Sequence, residues 1–156
     1  MNKHISIQTR INEVRKKNIP SLTYKEEIET LNKYYLIQQC ENSELLISEL
    51  KAKLSGYKQQ DVKKKILDNK KFITLDETLE KLVISKLICK YCSMKINVFY
   101  QISKEPKQWT LDRIDNSLGH NDDNVVICCL GCNLKRRRLD HDKFLFSQKM
   151  KLVKIN

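Results

Sequence analysis

Two Cys-x-x-Cys pairs, Cys89-Lys90-Tyr91-Cys92 and Cys129-Leu130-Gly131-Cys132, constrain this chain more than any other feature. Two residues between thiolates let a tight knuckle turn both sulfurs to one side, so each pair offers two ligands to one tetrahedral ion. The repeat points to one structural Zn²⁺ rather than to disulfides, which belong to oxidising compartments. Cys128 competes with Cys129 for a place in the ligand set. The run Val125-Val126-Ile127-Cys128 predicts a strand, whose alternation puts the two neighbours on opposite faces. Only Cys129 has the two-residue spacing to Cys132, and Gly131 suits the turn. The expected ligands are Cys89, Cys92, Cys129 and Cys132, with Cys128 as a small buried hydrophobe.

The charge balance narrows the partner. Thirty Lys and Arg against 19 Asp and Glu leave +11 on 156 residues, which favours a polyanion, nucleic acid first. A hydrophobic fraction of 40% is enough for a core, and three Gly with two Pro argue against a turn-dense all-β fold. Met1-Asn2-Lys3-His4 is a polar, basic start without an apolar run behind it, and no stretch of about eighteen apolar residues follows anywhere. The expectation is a soluble intracellular protein with no membrane partner.

The first part reads as helix. Thr23 and Glu26 form a capping box, and Tyr24, Ile28, Leu31 and Tyr35 line one face behind it. Leu46, Leu50 and Leu54 are out of step with that set, which predicts a break near Asn42-Ser43, and Gly56 is a candidate stop. Residues 58–71, rich in Lys and Gln, read as a short basic helix or linker. Thr74 and Glu77 make a second capping box before Leu79, Leu82, Val83 and Leu87. This region suits a helical bundle or a short dimerising coil giving a homodimer. A DNA-gripping arm is the competing reading, carried by charge alone.

Between the cysteine pairs lie Trp109-Thr110-Leu111-Asp112-Arg113-Ile114-Asp115-Asn116, Gly119-His120, Asn124-Val125-Val126-Ile127 and then Cys132-Asn133-Leu134-Lys135. The pattern predicts a strand, a polar loop, a second strand and a helix whose first turn carries Asn133. A ββ-hairpin followed by a helix can bring Asp112 and Asn133 together. One carboxylate and one amide oxygen suit Mg²⁺ or another divalent cation that keeps most of its water and takes a phosphate oxygen.

Residues 88–140 resemble the HNH endonucleases (the ββα-metal or His-Me finger family). The likeness is to zinc-braced members related to phage recombination endonuclease VII and to HNH-type proteins of large DNA viruses. The resemblance implies a viral or phage-like DNA endonuclease working in the cytoplasm or nucleus of a cell or of an infected host. It makes Asp112 and Asn133 the ligands of the catalytic ion. It makes Asn124 the residue that braces the loop and orients the base. Where the family most often has Asp-His, this chain has Asp112-Arg113, and an Arg that stays protonated cannot take a proton from water. Arg113 is then expected to clamp the scissile phosphate.

His120 is the candidate base, since an unperturbed pKa of about 6.5 suits proton transfer near neutrality. Its plainer alternative is a loop residue bonded to backbone or phosphate. Asp115 is the second candidate base, against a turn-forming role with Asn116 and Ser117. Lys135, Arg136, Arg137 and Arg138 continue the helix from Asn133 and are expected to contact DNA phosphates. Trp109 suits the core better than base stacking. Phe144, Leu145, Met150, Leu152 and Val153 predict a terminal helix, and His4 and His141 have no readable role.

The expectation is an α+β protein: a helical region over 1–72, then over 73–156 a zinc-bound ββα module with a C-terminal helix. Its function would be metal-dependent hydrolysis of phosphodiester bonds in DNA. A zinc-dependent DNA-binding protein without catalysis is the alternative. A helical scaffold whose zinc module only docks a partner is a third.

Overall fold

The computed structural model describes residues 13–15 and 18–153, Lys151–Val153 by backbone alone. Met1 to His4 and the side chains of Leu152 and Val153 lie outside the described residues. Helix α1, Tyr24–Tyr35, starts at the expected capping box: the Glu26 amide donates to Thr23 Oγ1 at 3.3 Å and the Thr23 amide to Glu26 Oε2 at 2.7 Å. The expected apolar face is only partly inward. Leu31 is buried but Tyr35 is exposed, and Glu27 and Thr30 take inner positions instead. Glu27 is there because the Val98 and Phe99 amides, unpaired in any sheet, both donate to its carboxylate.

Helix α2, Ser43–Lys63, follows the expected break at Asn42. It runs straight through Gly56, so the expected stop is not used. The helix ends at Lys65 in left-handed backbone (φ 58°), where the Ile66 amide reaches back to the Asp61 carbonyl and the Lys65 amide to that of Val62. That is a Schellman ending. Residues 58–63, expected as a short helix or linker, are its last turns.

Helix α3, Leu75–Ser85, has the second capping box intact at Thr74 and Glu77. Both α1 and α2 pack on it, and it packs in turn on the sheet. Strands β1, Trp109–Arg113, and β2, Val125–Cys129, pair antiparallel with Asp112 opposite Val126. Helix α4, Leu130–Arg136, follows β2 without a linker, and α5, His141–Val153, closes the chain.

The fold is thus α+β, with five helices and a two-stranded sheet among the described residues. One apolar core runs from Leu31, Leu46 and Leu50 through Leu82, Tyr91 and Ile96 to Trp109, Leu111 and Phe144. The region expected over 1–72 and the module expected over 73–156 share this core. Trp109 is wholly buried, a core residue rather than a stacking platform. Among the described residues no helix is long and apolar enough to cross a membrane.

Candidate functional site

The four expected cysteines converge. After α3 the backbone turns through left-handed Lys86 and Leu87 into a knuckle in which the Ser93 amide donates to the Cys89 carbonyl and the Cys89 amide to that of Met94. Cys129 ends β2 and caps α4, its sulfur accepting the Cys132 amide at 3.3 Å. The Cys89, Cys92, Cys129 and Cys132 sulfurs all lie within 4.8 Å of one another, and those of Cys92 and Cys129 are 3.9 Å apart. A tetrahedral ion with sulfur ligands at about 2.3 Å has edges of about 3.8 Å, so this donor set can hold one.

The thiols also compete for protons. The hydrogen bond from Cys129, with burial opposing, brings Cys89 down to about 5, and the same bond pushes Cys129 up. Burial raises Cys132 to about 12. So close a group cannot all ionise without a cation among them. Cys128 stays outside the cluster, fully buried with its sulfur 3.3 Å from Thr110 Oγ1.

A cleft of about 500 Å³ opens between α2 and the unit made by β1, its loop and α4. One wall is β1 and its loop, with Asp112, Arg113, Asn116 and His120; α4 and its end add Asn133 and Arg137. The opposite wall is α2, with Lys53, Tyr57, Gln60 and Lys64.

Asp112 is nearly buried on β1. Its Oδ2 accepts from the Tyr91 hydroxyl at 2.5 Å and from Arg136 Nη1 at 2.7 Å. Its Oδ1 has no hydrogen-bond partner among the described residues. Tyr91 also meets His141 Nδ1 at 2.9 Å, so His141, without a role in the sequence, joins this network. Asn133 Nδ2 donates to Thr110 Oγ1 at 3.1 Å and to the Leu111 carbonyl at 3.4 Å, which leaves its Oδ1 for the cleft.

Asn124 does brace the loop. Its Oδ1 accepts the Asp115 amide at 2.9 Å, and its Nδ2 donates to the Asp115 and Gly119 carbonyls, each at 3.0 Å. Arg113 donates to the Asn116 and Leu118 carbonyls of the same loop, each at 3.2 Å. Asp115 forms a turn instead of facing the cleft: its Oδ1 accepts the Ser117 hydroxyl and amide, and the hydroxyl bond, the stronger, holds its carboxyl below the usual range.

His120 is buried, with Nδ1 2.7 Å from Asp61 Oδ1 and its ring stacked on Tyr57 at 4.5 Å. Burial lowers its pKa against the raising influence of Asp61, with Arg113 and Lys64 adding to the lowering. The neutral ring is therefore favoured near pH 7.

The basic run after Asn133 divides. Lys135, Arg137 and Arg138 are exposed. Arg136 is 1% exposed and bonds Asp112 as well as the Arg113, Ile114 and Leu139 carbonyls, so its expected place on the DNA-facing side is corrected. The cause is local: the Arg113 and Ile114 carbonyls at the end of β1, the Leu139 carbonyl after α4 and the Asp112 carboxylate all need donors here, and a five-donor guanidinium meets them all.

Asp61, Tyr57 and Tyr91 were not anticipated from the sequence. Leu46, Leu50, Leu54, Tyr57 and Asp61 follow one another at helical spacing, so the signal for Asp61 was a carboxylate in the next inward position of an apolar stripe. On α2, Lys53 reaches Gln108 Oε1 at 2.8 Å and the Trp109 carbonyl, and burial pushes its ammonium down to about 7.

Among the described residues, the four cysteines are the only group of three or more His, Cys, Asp or Glu donors arranged around a common point. No protein-family model matches the chain, and no curated protein or solved structure matches it significantly.

Proposed function

We propose that this protein is a metal-dependent endonuclease that hydrolyses phosphodiester bonds in DNA, with Zn²⁺ at Cys89, Cys92, Cys129 and Cys132 as its structural brace. The observation that carries the reading is the convergence of Asp112, Arg113, His120 and Asn133, from a strand, a loop and a helix, on one cleft. Asp112 Oδ1 and Asn133 Oδ1 are the two protein oxygens offered to a Mg²⁺ or similar ion, a small set that fits a cation completed by water and substrate phosphate. When bound, that ion supplies Lewis-acid polarisation of the phosphate and charge stabilisation at the leaving 3′-oxygen. His120 Nε2 takes the proton of a water whose oxygen bonds to phosphorus as the bond to O3′ breaks. Arg113 meets the charge developing on the phosphate, and Lys64 and Arg137 flank the path of the strand.

Incubation of the purified protein with supercoiled plasmid and Mg²⁺ or Mn²⁺ tests this. Relaxed or linear product that disappears in Asp112→Ala is the expected result. Intact plasmid under a protein that binds it would sink the nuclease reading. A second reading, a zinc-braced DNA-binding protein without catalysis, is favoured by the Arg136–Asp112 ion pair, because a guanidinium on one carboxylate oxygen weakens the hold of the other on a cation.

A further inference from the structure

We propose that Asp61, near the end of α2, is a positioning residue that holds His120 as the Nδ1–H tautomer and so leaves the Nε2 lone pair open to the cleft. The inference rests on the reading of His120 as general base. It assigns a working part to a helix whose sequence alone suggests no chemistry.

The geometry is a two-point clamp. Asp61 Oδ1 lies 2.7 Å from His120 Nδ1, and Asp61 Oδ2 accepts the His120 backbone amide at 2.7 Å. A carboxylate offers only acceptors, so the Nδ1 nitrogen that faces it carries the proton. Nε2 has no partner among the described residues, and the ring, although only 3% exposed, lines the cleft. Tyr57, one turn before Asp61 on α2, stacks on the ring and blocks its rotation.

The chain is fitted to this contact. Asp61 is wholly buried, and a buried carboxylate costs several kcal/mol unless it is paired. Gly119 lets the loop come close enough, since a Cβ there would sit 2.7 Å from Asp61 Oδ2 and 2.9 Å from the Ile66 carbonyl. Asn124, holding the Gly119 carbonyl from the other side, presses the loop towards α2. A staple joining helix to loop would need only the backbone bond. The second bond, to Nδ1, is the one that sets which nitrogen can accept a proton.

The charged and titratable groups around the ring are Asp61 and Lys64 from α2, Tyr57 beside them and Arg113 from β1. Burial, against the pull of Asp61 and with Arg113 and Lys64 adding to it, disfavours a second proton on the ring, so the neutral form leaves the Nε2 lone pair free. Asp61→Asn would reverse the arrangement. An amide NH₂ facing Nδ1 turns that nitrogen into an acceptor and moves the ring proton to Nε2, as a wrong tautomer does in any carboxylate–His pair.

The test is long-range ¹H–¹⁵N NMR of the ¹⁵N-labelled full chain near pH 7.5, with the His120 signals assigned by their loss in His120→Gln. The expected wild-type result is a protonated Nδ1 and an unprotonated Nε2. In Asp61→Asn the expected result is the opposite tautomer, a kcat for plasmid cleavage lowered about 10²–10⁴-fold and a KM changed little. A wild-type ring protonated at Nε2, or on both nitrogens, overturns the inference whether or not the protein cuts DNA. If Asp61→Asn does not fold, the wild-type tautomer alone decides. An Nδ1–H ring in a protein that cuts no DNA would overturn the nuclease reading and leave the Asp61 assignment standing.

Discussion

Arg136 Nη1 lies 2.7 Å from Asp112 Oδ2, and both side chains are buried. The pair joins α4 to β1 at the edge of the cleft. Removal of one partner from a buried ion pair leaves the other charge unpaired, typically at about 3–5 kcal/mol. Arg136→Ala should therefore lower the unfolding free energy by about that amount, read from the urea midpoint at unchanged slope. A loss under about 1 kcal/mol would mean that the pair is as weak as a surface one.

The exposed cations behave differently. Lys135, Arg137 and Arg138 replaced together by Gln should leave the unfolding free energy within about 0.5 kcal/mol of the parent. They should also weaken binding to any duplex and reduce the salt slope by about one for each phosphate no longer neutralised. Equal affinity and slope in parent and variant would make the run a solvated surface and move the DNA grip to α2.

Zinc content separates neighbouring cysteines. The purified chain should hold one equivalent, lost in Cys92→Ser and Cys129→Ser and kept in Cys128→Ser, because only the first two belong to the four-sulfur cluster. Retention in Cys129→Ser with loss in Cys128→Ser would reverse the assignment.

What was legible in the sequence was what local chemistry decides. Both capping boxes formed because their partners are three residues apart, and within each Cys-x-x-Cys pair a local turn brings the two sulfurs together. Gly56 misled because the cost of an internal glycine, about 1 kcal/mol, is small beside the burial of Leu46, Leu50 and Leu54 along the same helix. Arg136 misled because helical spacing says which residues share a face, not what lies against it. Asp61 is 59 residues from His120, and Tyr91 is 21 from Asp112. No periodicity reports a polar contact across such distances, so the half of the cleft built by α2 came only with the fold.

Glu27 gives a pH signature. Burial raises its carboxyl from 4.5 to about 7, although the Val98 and Phe99 amides favour the charged form. Between those values the folded state keeps a proton that the unfolded chain has released, so unfolding free energy falls as pH rises. At about 1.4 kcal/mol per pH unit, the fall attributable to Glu27 is at most about 3.5 kcal/mol. Glu27→Gln should be flatter than wild type from pH 4.5 to 7 in urea titrations. Parallel profiles would show that the fold imposes no such shift.

Two glycines make a paired test of the contact between α2 and the loop. A Cβ at Gly56 meets nothing within 4 Å, whereas one at Gly119 meets the Asp61 carboxylate and the Ile66 carbonyl inside 3.0 Å. Gly56 is internal to α2, so Gly56→Ala should stabilise the protein by about 0.5–1 kcal/mol through helix propensity and reduced freedom of the unfolded chain. Gly119→Ala should cost about 1–3 kcal/mol, because the Ile66 backbone cannot move without unwinding the end of α2. The Asp61 carboxylate, the softer obstacle, would give way first and loosen its hold on His120. Cleavage should then fall by more than the loss of folded protein accounts for, measured at a temperature where both variants remain folded. A Gly119→Ala protein as stable and as active as Gly56→Ala would show that the loop does not press on Asp61 in solution.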